Sequence, residues 1–537
     1  MSYLTKFSLR RTRQSEPIPG TRQVPNRAGG YAWAVDDWAR LRRFLILGSE
    51  GGSFYAHEWT LTRENATATW ACIERDGPRA VKEIVAISTD GRAAKNDAAI
   101  FALAMAASAT EDATRKLALD ALPQVCRTGT HLFAFARSVE QFRGWGRSLR
   151  RGVGAWYAGQ TPDKLAYQAI KYRQREGTSH RDLLRLAHPG AKTRAGNPRL
   201  PVTDEHARLF EWIVRGGETA ALPQIVTGFV AAQNARTAMQ AAALVREHKL
   251  PREAVKPEHL ESAEVWTALL EGMPMTALLR NLATLTRVGV IAPGSDGTAR
   301  AIAQITDGER LRRARVHPIA VLSALRTYAS GHGVRGRHTW DPVAQVVDAL
   351  DAAFYAAFGN VEPAGTRTLL ALDVSASMTW GEMAGVPGLT PRDASAAMAL
   401  VTAATEPRHE FTAFTTGLTP LAISPRQRLD DVVRNVSDLP FGGTDCALPM
   451  LYALKAKREI DTFVIYTDSE TWAGSVHPVQ ALREYRERSG IAARLVVIGM
   501  VSNGFTIADP NDPGMLDIVG FDTATPAVVA GFATGAL

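Results

Sequence analysis

The sequence predicts a multidomain chain: an all-α body of HEAT-like helical repeats, followed by an α/β doubly wound domain. Three observations support this. At 537 residues the chain is too long for one ordinary core. From about Tyr31 to Phe358 apolar residues recur at helical spacing, interrupted by Gly and Pro at short intervals. Past Val361-Glu-Pro-Ala-Gly-Thr366, short apolar runs alternate with helical stretches, the pattern of a parallel sheet wrapped by helices. Charge divides at the same point. From Val361 onward there are 13 Lys and Arg against 20 Asp and Glu, a net of −7, and the preceding residues carry 49 against 34, a net of +15.

Residues 1–20 lack periodicity, hold Pro17 and Pro19, and read as a basic arm. Residues 21–360 form the helical body. Ala98–Ala107 is Ala-rich enough for close helix packing. Leu278, Leu279, Leu282 and Leu285 share one face behind Pro274 and Thr276. Ile319, Leu322 and Leu325 do the same behind Pro318, with Gly331 as the stop. No alternating strand is visible in this region. Repeats of about 40–47 residues would give roughly seven or eight units. Residues 361–537 form the α/β domain, with strands expected near Arg367–Asp373, Glu410–Thr415, Thr462–Thr467 and Arg494–Met500. Helices are expected near Pro391–Thr405, Leu429–Val436, Cys446–Lys457 and Pro478–Arg488. No apolar run reaches the length of a membrane span, and the basic N-terminus has no apolar signal core. Cys72, Cys126 and Cys446 have neither zinc nor disulfide spacing. These features point to a reducing, cytoplasmic setting and to no membrane partner.

The α/β domain carries a chemical pattern. The run Leu369–Leu372 ends in Asp373, Ser375 and Ser377. Gly442-Gly443-Thr444-Asp445 follows about seventy residues later, and the run Phe463–Tyr466 ends in Thr467-Asp468-Ser469. Ligands of open α/β sheets sit beyond the carboxyl ends of the strands, so these groups converge on one edge. Carboxylates and hydroxyls are hard oxygen donors. They suit one divalent cation, Mg²⁺ first, with Ca²⁺ or Mn²⁺ as alternatives. The pattern resembles the metal-ion-dependent adhesion site of von Willebrand factor A domains. That resemblance assigns Ser375, Ser377 and Thr444 as direct ligands and Asp373 and Asp468 as ligands through water. It leaves one position open for an acidic residue of a protein partner.

The body carries basic clusters interleaved with aromatics. Arg143, Arg147, Arg150 and Arg151 recur at helical spacing around Trp145. Lys171 and Arg175, four apart, are expected on one helix face, with His188 downstream. Arg312, Arg313 and Arg315 form a third cluster, with Arg335, Arg337 and His338 beyond it. Guanidinium groups fork onto phosphates and aromatic rings stack on unpaired bases, so nucleic acid is the first candidate partner, with a solvated basic helix face as the alternative.

Longer stretches resemble one family. They include QVPNRAGGYAW from Gln23, CRTGTHLFAF from Cys126, WGRSLRR from Trp145, KYRQREGTSHRDLLRLAH from Lys171, GGTDCALPM from Gly442 and NGFTIADPND from Asn503. In this order they are similar to the Ro ribonucleoprotein family, and to its bacterial members in particular. The resemblance implies a TROVE module, whose HEAT-like repeats close into a ring, joined to a von Willebrand factor A domain. It implies that small noncoding Y RNAs bind the outer surface through Lys171, Arg175 and His188. Single-stranded 3′ ends of misfolded or immature structured RNAs would enter the hole. A Y RNA would tether an exoribonuclease, polynucleotide phosphorylase. Function is then non-enzymatic scaffolding for RNA quality control, maturation and decay. The alternative is a metal-dependent, adhesion-type protein-binding module on a structural helical body. A metal-dependent nuclease fits poorly: the hydroxyl-rich site offers no evident general base and no second metal, and His409 and His477 are lone histidines.

Overall fold

The computed structural model describes residues 11–48, 66–93, 95–175, 177–190, 202–314, 316, 318–333, 338–357, 363–380, 389–424, 427–440, 442–501, 504–519 and 525–536. Residues 1–10 of the expected arm, part of the linker, Arg315, Arg335 and Arg337 lie outside these. The chain forms two compact units. One comprises Met1–Ala68, Arg92–Ala94 and Phe358–Leu537, and the other Thr69–Gly91 and Lys95–Ala357. The described strands run, in chain order, β1 (Gln23–Pro25), β2 (Tyr31–Ala34), β3 (Gln174–Arg175), β4 (Thr178–Ser179), β5 (Thr368–Asp373), β6 (His409–Phe414), β7 (Leu418–Leu421), β8 (Thr462–Thr467), β9 (Arg494–Gly499), β10 (Phe505–Thr506) and β11 (Met515–Val519).

The unit Thr69–Gly91 with Lys95–Ala357 is helical apart from β3, β4 and an isolated bridge between His332 and Thr339. Helix Asp97–Ala106 buries every residue after Asp97, because Ala on all sides lets neighbours approach, and it packs on helix Gly129–Arg143. Helix Met275–Arg287 starts at Pro274 and buries Leu278, Leu279, Leu282 and Leu285, as their spacing predicts. Helices Gln224–Asn234, Ala238–His248 and Ala263–Gly272 pack in succession, and Pro318–Ala329 packs on Ala344–Ala356. Many starts are fixed by side-chain caps. Thr128, Thr161, Thr203, Thr237, Ser262 and Ser295 each accept a first-turn N–H, and Ser179 with Asp182 forms a capping box.

One expectation needs correction. Strands do occur between Tyr31 and Phe358. β2 pairs antiparallel with β1 and β10, and β3 pairs with β4 across a turn at Gly177, φ 79°. Elements of two to four residues are too short for alternation to announce them. The division by compactness is drawn on other grounds than the sequence boundaries at 20 and 360, and it groups residues 11–48 with the α/β domain. Thr12 N–H donates to Gln480, and Gln14, fully buried, donates to Asp445 Oδ1 at 2.6 Å and to the Val476 carbonyl at 2.8 Å.

The other unit centres on a six-stranded sheet of order β11-β9-β8-β5-β6-β7. All pairings are parallel except that of the edge strand β7 with β6. β5 and β8 are buried along their whole length, which explains their uninterrupted apolar runs. The four expected strands and four expected helices are all present, whereas β7 and β11 were not foreseen. A buried salt bridge, Arg43 Nη2 to Asp517 Oδ2 at 2.7 Å, ties helix Asp37–Leu47 to β11.

Candidate nucleic-acid interface and metal centre

At the carboxyl edge of the sheet the candidate cation donors meet. Asp373 closes β5 and is fully buried. Its Oδ1 accepts the Ser375 N–H at 2.9 Å and its Oδ2 accepts the Thr467 hydroxyl at 2.6 Å. Ser375 and Ser377 hydroxyls stand 3.1 Å apart, and Ser377 hydrogen-bonds the Asp468 carboxylate. Asp468 Oδ1 also accepts the Glu470 N–H at 2.9 Å. Ser469 is held at φ 63°, an uncommon conformation for a residue with a side chain, and this turns the loop back toward the sheet. Thr444 is buried on the adjoining loop, where its carbonyl accepts the Trp472 and Ala473 N–H groups, each at 3.0 Å. Its side chain is not hydrogen-bonded to the other four residues. Asp445, next to it, is committed to Gln14 and to the Ala447 N–H.

The electrostatics suit a cation. Burial, and then the charge of Asp468, pushes the Asp373 carboxyl up to about 7. Burial raises Asp468 as well. Sequence reasoning missed Glu470, two residues beyond Asp468. Its Oε2 accepts the Arg27 and Ala28 N–H groups at 2.9 and 3.1 Å, and its Oε1 is buried without a hydrogen-bond partner. Burial and then Asp468 push it up to about 7. Three carboxyls thus crowd one edge in a state that disfavours their charge. Arg392 senses Asp373, but its Nη2 donates to the Val436 and Leu439 carbonyls. Adjacent ligands of an octahedral Mg²⁺ at about 2.1 Å lie about 3 Å apart, the spacing of the two serine hydroxyls. Among the described residues no group of three His, Cys, Asp or Glu has metal-binding geometry. A site here therefore depends on the hydroxyls, and such a donor set excludes a zinc-type centre. His477 caps helix Pro478–Ser489 and its Nε2 is 2.8 Å from the Glu16 carbonyl, so its role is structural.

In the helical unit the basic residues sort into two groups. Helix Pro162–Lys171 ends at Lys171, and Arg175 lies on β3, so the two do not share a helix face as expected. The hairpin nonetheless brings both to one cavity of about 880 Å³. Lys171 Nζ donates to the Tyr167 hydroxyl at 3.1 Å and sits 5.3 and 5.5 Å from the Tyr167 and Tyr172 ring centres. His188 is exposed at the far end of helix His180–Ala187, in a left-handed conformation at φ 45°. That helix is roughly 12 Å long, and His188 does not line the cavity. Arg150 joins His188 there, its Nε donating to the Ala187 carbonyl at 3.4 Å.

The arginine run is also split. Arg143 ends one helix, Gly144 at φ 81° breaks the chain, and Arg147 starts the next, so one helical face does not carry all four. Arg143, Arg147, Arg150 and Arg151 are all exposed, and Arg143 Nη1 donates to the Ala109 carbonyl at 3.1 Å. The lining of the cavity also carries Arg246, Lys249, Arg252 and Arg280. Arg246, Lys249 and Arg252 lie within seven residues, a basic cluster the sequence reading passed over, whereas Arg280 is distant in the chain. The fold brings Arg280, from within helix Met275–Arg287, to the same cavity, and no local signal announces that pairing.

Comparison with known proteins matches this architecture. The family model described as the Ro60 vWA domain matches residues 367–533, and that of the TROVE domain matches residues 24–215 and 244–326. "RNA-binding protein RO60" of Deinococcus radiodurans is 45% identical over 516 residues, 96% of this chain and 96% of the relative. The protein of the same name from Caenorhabditis elegans is 37% identical over 584 residues, 96% of this chain and 90% of the relative. The crystal structure of the Deinococcus radiodurans RO (RSR) protein superposes with a TM-score of 0.70 at 44% identity, covering 94% of this chain and 100% of that one. Two domain models in the expected order and near full-length relatives leave one conclusion: the chain belongs to the Ro60 family, a TROVE domain joined to a von Willebrand factor A domain.

Proposed function

We propose that this chain is the non-enzymatic RNA-binding scaffold of a cytoplasmic Ro ribonucleoprotein. The observation that carries the reading is the gathering of Lys171 and Arg175 at one cation-rich cavity of a helical body whose sequence is strongly basic. Phosphate contacts from Lys and Arg supply affinity without sequence choice, and exposed aromatic rings favour unpaired bases. Two relatives bearing the name RNA-binding protein support it. In this reading Y RNAs bind the outer surface through Lys171, Arg175 and His188, with Arg143, Arg147, Arg150 and Arg151 extending the basic track. The helical repeats close into a ring that takes single-stranded 3′ ends of misfolded or immature RNAs. A Y RNA tethers polynucleotide phosphorylase for maturation or decay.

The acidic domain holds one divalent cation, Mg²⁺ first, through Ser375, Ser377 and Thr444, with Asp373 and Asp468 acting through water. Its chemistry there is to offer one open position to a carboxylate of a protein partner. A bound cation would favour the ionised forms of Asp373 and Asp468, which burial disfavours, and Thr467 and Ser375 fix the orientation of Asp373.

The test is a Lys171→Ala/Arg175→Ala variant titrated with a Y-type hairpin at moderate salt. Neither residue is in a core, so folding is retained, and affinity falls tenfold or more. Unchanged affinity would remove the site assignment, and shortening of the RNA in Mg²⁺ would remove the non-enzymatic reading.

A further inference from the structure

The lining of the cavity beside Lys171 also holds cations that the Y RNA assignment does not use. Arg246 and Lys249 come from the end of helix Ala238–His248, Arg252 from the short turn after it, and Arg280 from the first half of helix Met275–Arg287. With Lys171 and Arg175, six cations face the same space against two carboxylates, Glu253 and Glu271. Glu271 is held by Arg246 at 3.0 Å and by Arg300 at 3.6 Å. Lys249 and Arg280 are exposed, and among the described residues their side chains have no hydrogen-bond or ion-pair partner. Such a concentration of like charge is unfavourable unless an anion enters. The cavity also opens at the N-termini of two long helices, at Thr128 and Pro274, which add partial positive charge. Its other feature is the tyrosine pair Tyr167 and Tyr172, whose rings flank Lys171.

A cavity of about 880 Å³ is in the range that accepts a small-molecule-sized group, and its lining holds both cations and tyrosine rings. Inorganic anions need only the first. A duplex offers its phosphates outside and keeps its bases stacked within, so it cannot present a base to the tyrosines. An unpaired nucleotide uses both. We propose that this cavity seats an unpaired nucleotide of the bound RNA. Its phosphate lies against Lys249, Arg246 and Arg280, and its base lies against Tyr167 and Tyr172. The inference rests on the RNA-binding reading and adds to it a pocket selective for unpaired over paired RNA.

The test compares the full chain with a Lys249→Gln/Arg280→Gln variant and with Lys171→Ala/Arg175→Ala. The probes are a hairpin carrying an unpaired tail with one 2-aminopurine, and the same hairpin blunt-ended. The Lys249→Gln/Arg280→Gln variant should bind the tailed hairpin about tenfold more weakly, with the salt slope reduced by roughly 1.4 for two lost contacts to a single strand. It should bind the blunt hairpin as the parent does, and Tyr172→Leu should abolish the 2-aminopurine quenching seen with the parent chain. If Lys249→Gln/Arg280→Gln binds tailed RNA like the parent while Lys171→Ala/Arg175→Ala still loses affinity, the pocket is wrong and the RNA reading stands. If the parent chain ignores both probes, the RNA reading itself fails.

Discussion

Divalent cation should stabilise this protein far more at about pH 8 than at about pH 5. Burial and the Asp468 charge raise Asp373 from its ordinary 3.8 to about 7, and burial with the same charge raises Glu470 from 4.5 to about 7. Each folded-state value lies above its unfolded value, so the native chain holds protons that the unfolded chain releases. Their contribution to stability is fully present below about pH 4 and is lost as pH rises through about 7. For Asp373 alone the raised value corresponds to about 4 kcal/mol. A cation binds the deprotonated carboxylates and reverses that loss. At a concentration one hundred times its dissociation constant it returns about 2.7 kcal/mol. At ~2–4 °C per kcal/mol, the first unfolding transition should rise by roughly 5–10 °C. The assay is thermal unfolding of the full chain in chelator and in excess Mg²⁺ across this pH range. Asp373→Asn, which imitates the protonated carboxyl, should raise the transition in chelator at high pH and erase the Mg²⁺ response. An Mg²⁺ effect that is absent, or that is largest at low pH, would refute the site.

Two further outcomes test the organisation around this edge. Asp373→Ala should abolish the Mg²⁺ response yet leave affinity for a tailed hairpin within about twofold, since the acidic domain carries net negative charge and repels phosphate. A filter-binding titration in chelator and in Mg²⁺ checks this. Gly30→Ala should destabilise the same unit by about 1–3 kcal/mol, because its Cβ would fall 1.9 Å from the Thr471 carbonyl oxygen and 2.9 Å from the Trp472 Cα, both backbone. Chemical denaturation gives the loss, and earlier proteolytic cleavage within residues 11–36 should accompany it.

How much of this was legible in the sequence follows from how far each feature depends on local chemistry. The α/β domain was readable because β5 and β8 are buried on both faces, so their apolar runs are unbroken and end at the candidate cation donors. Asp373, Ser375 and Ser377 share one turn, and that turn was visible as a spacing. Glu470 was not. Its role comes from two backbone amides at Arg27 and Ala28, more than four hundred residues away, and no short-range pattern encodes such a pairing. The same reason hid the docking of residues 11–34 on the acidic domain, where Gln14 and the β2–β10 pairing use partners at the opposite end of the chain. In the body, a four-residue spacing placed Lys171 and Arg175 together for the wrong reason. The helix stops at Lys171, and the β3–β4 hairpin, with glycine at the turn, brings Arg175 to the same cavity. Spacing arguments can locate charges that share an element's end, as Arg246 and Lys249 do, but cannot join them to Arg280. Arg280 lines the same cavity as those two and Lys171 only because separate helices pack together, a long-range outcome that spacing does not encode.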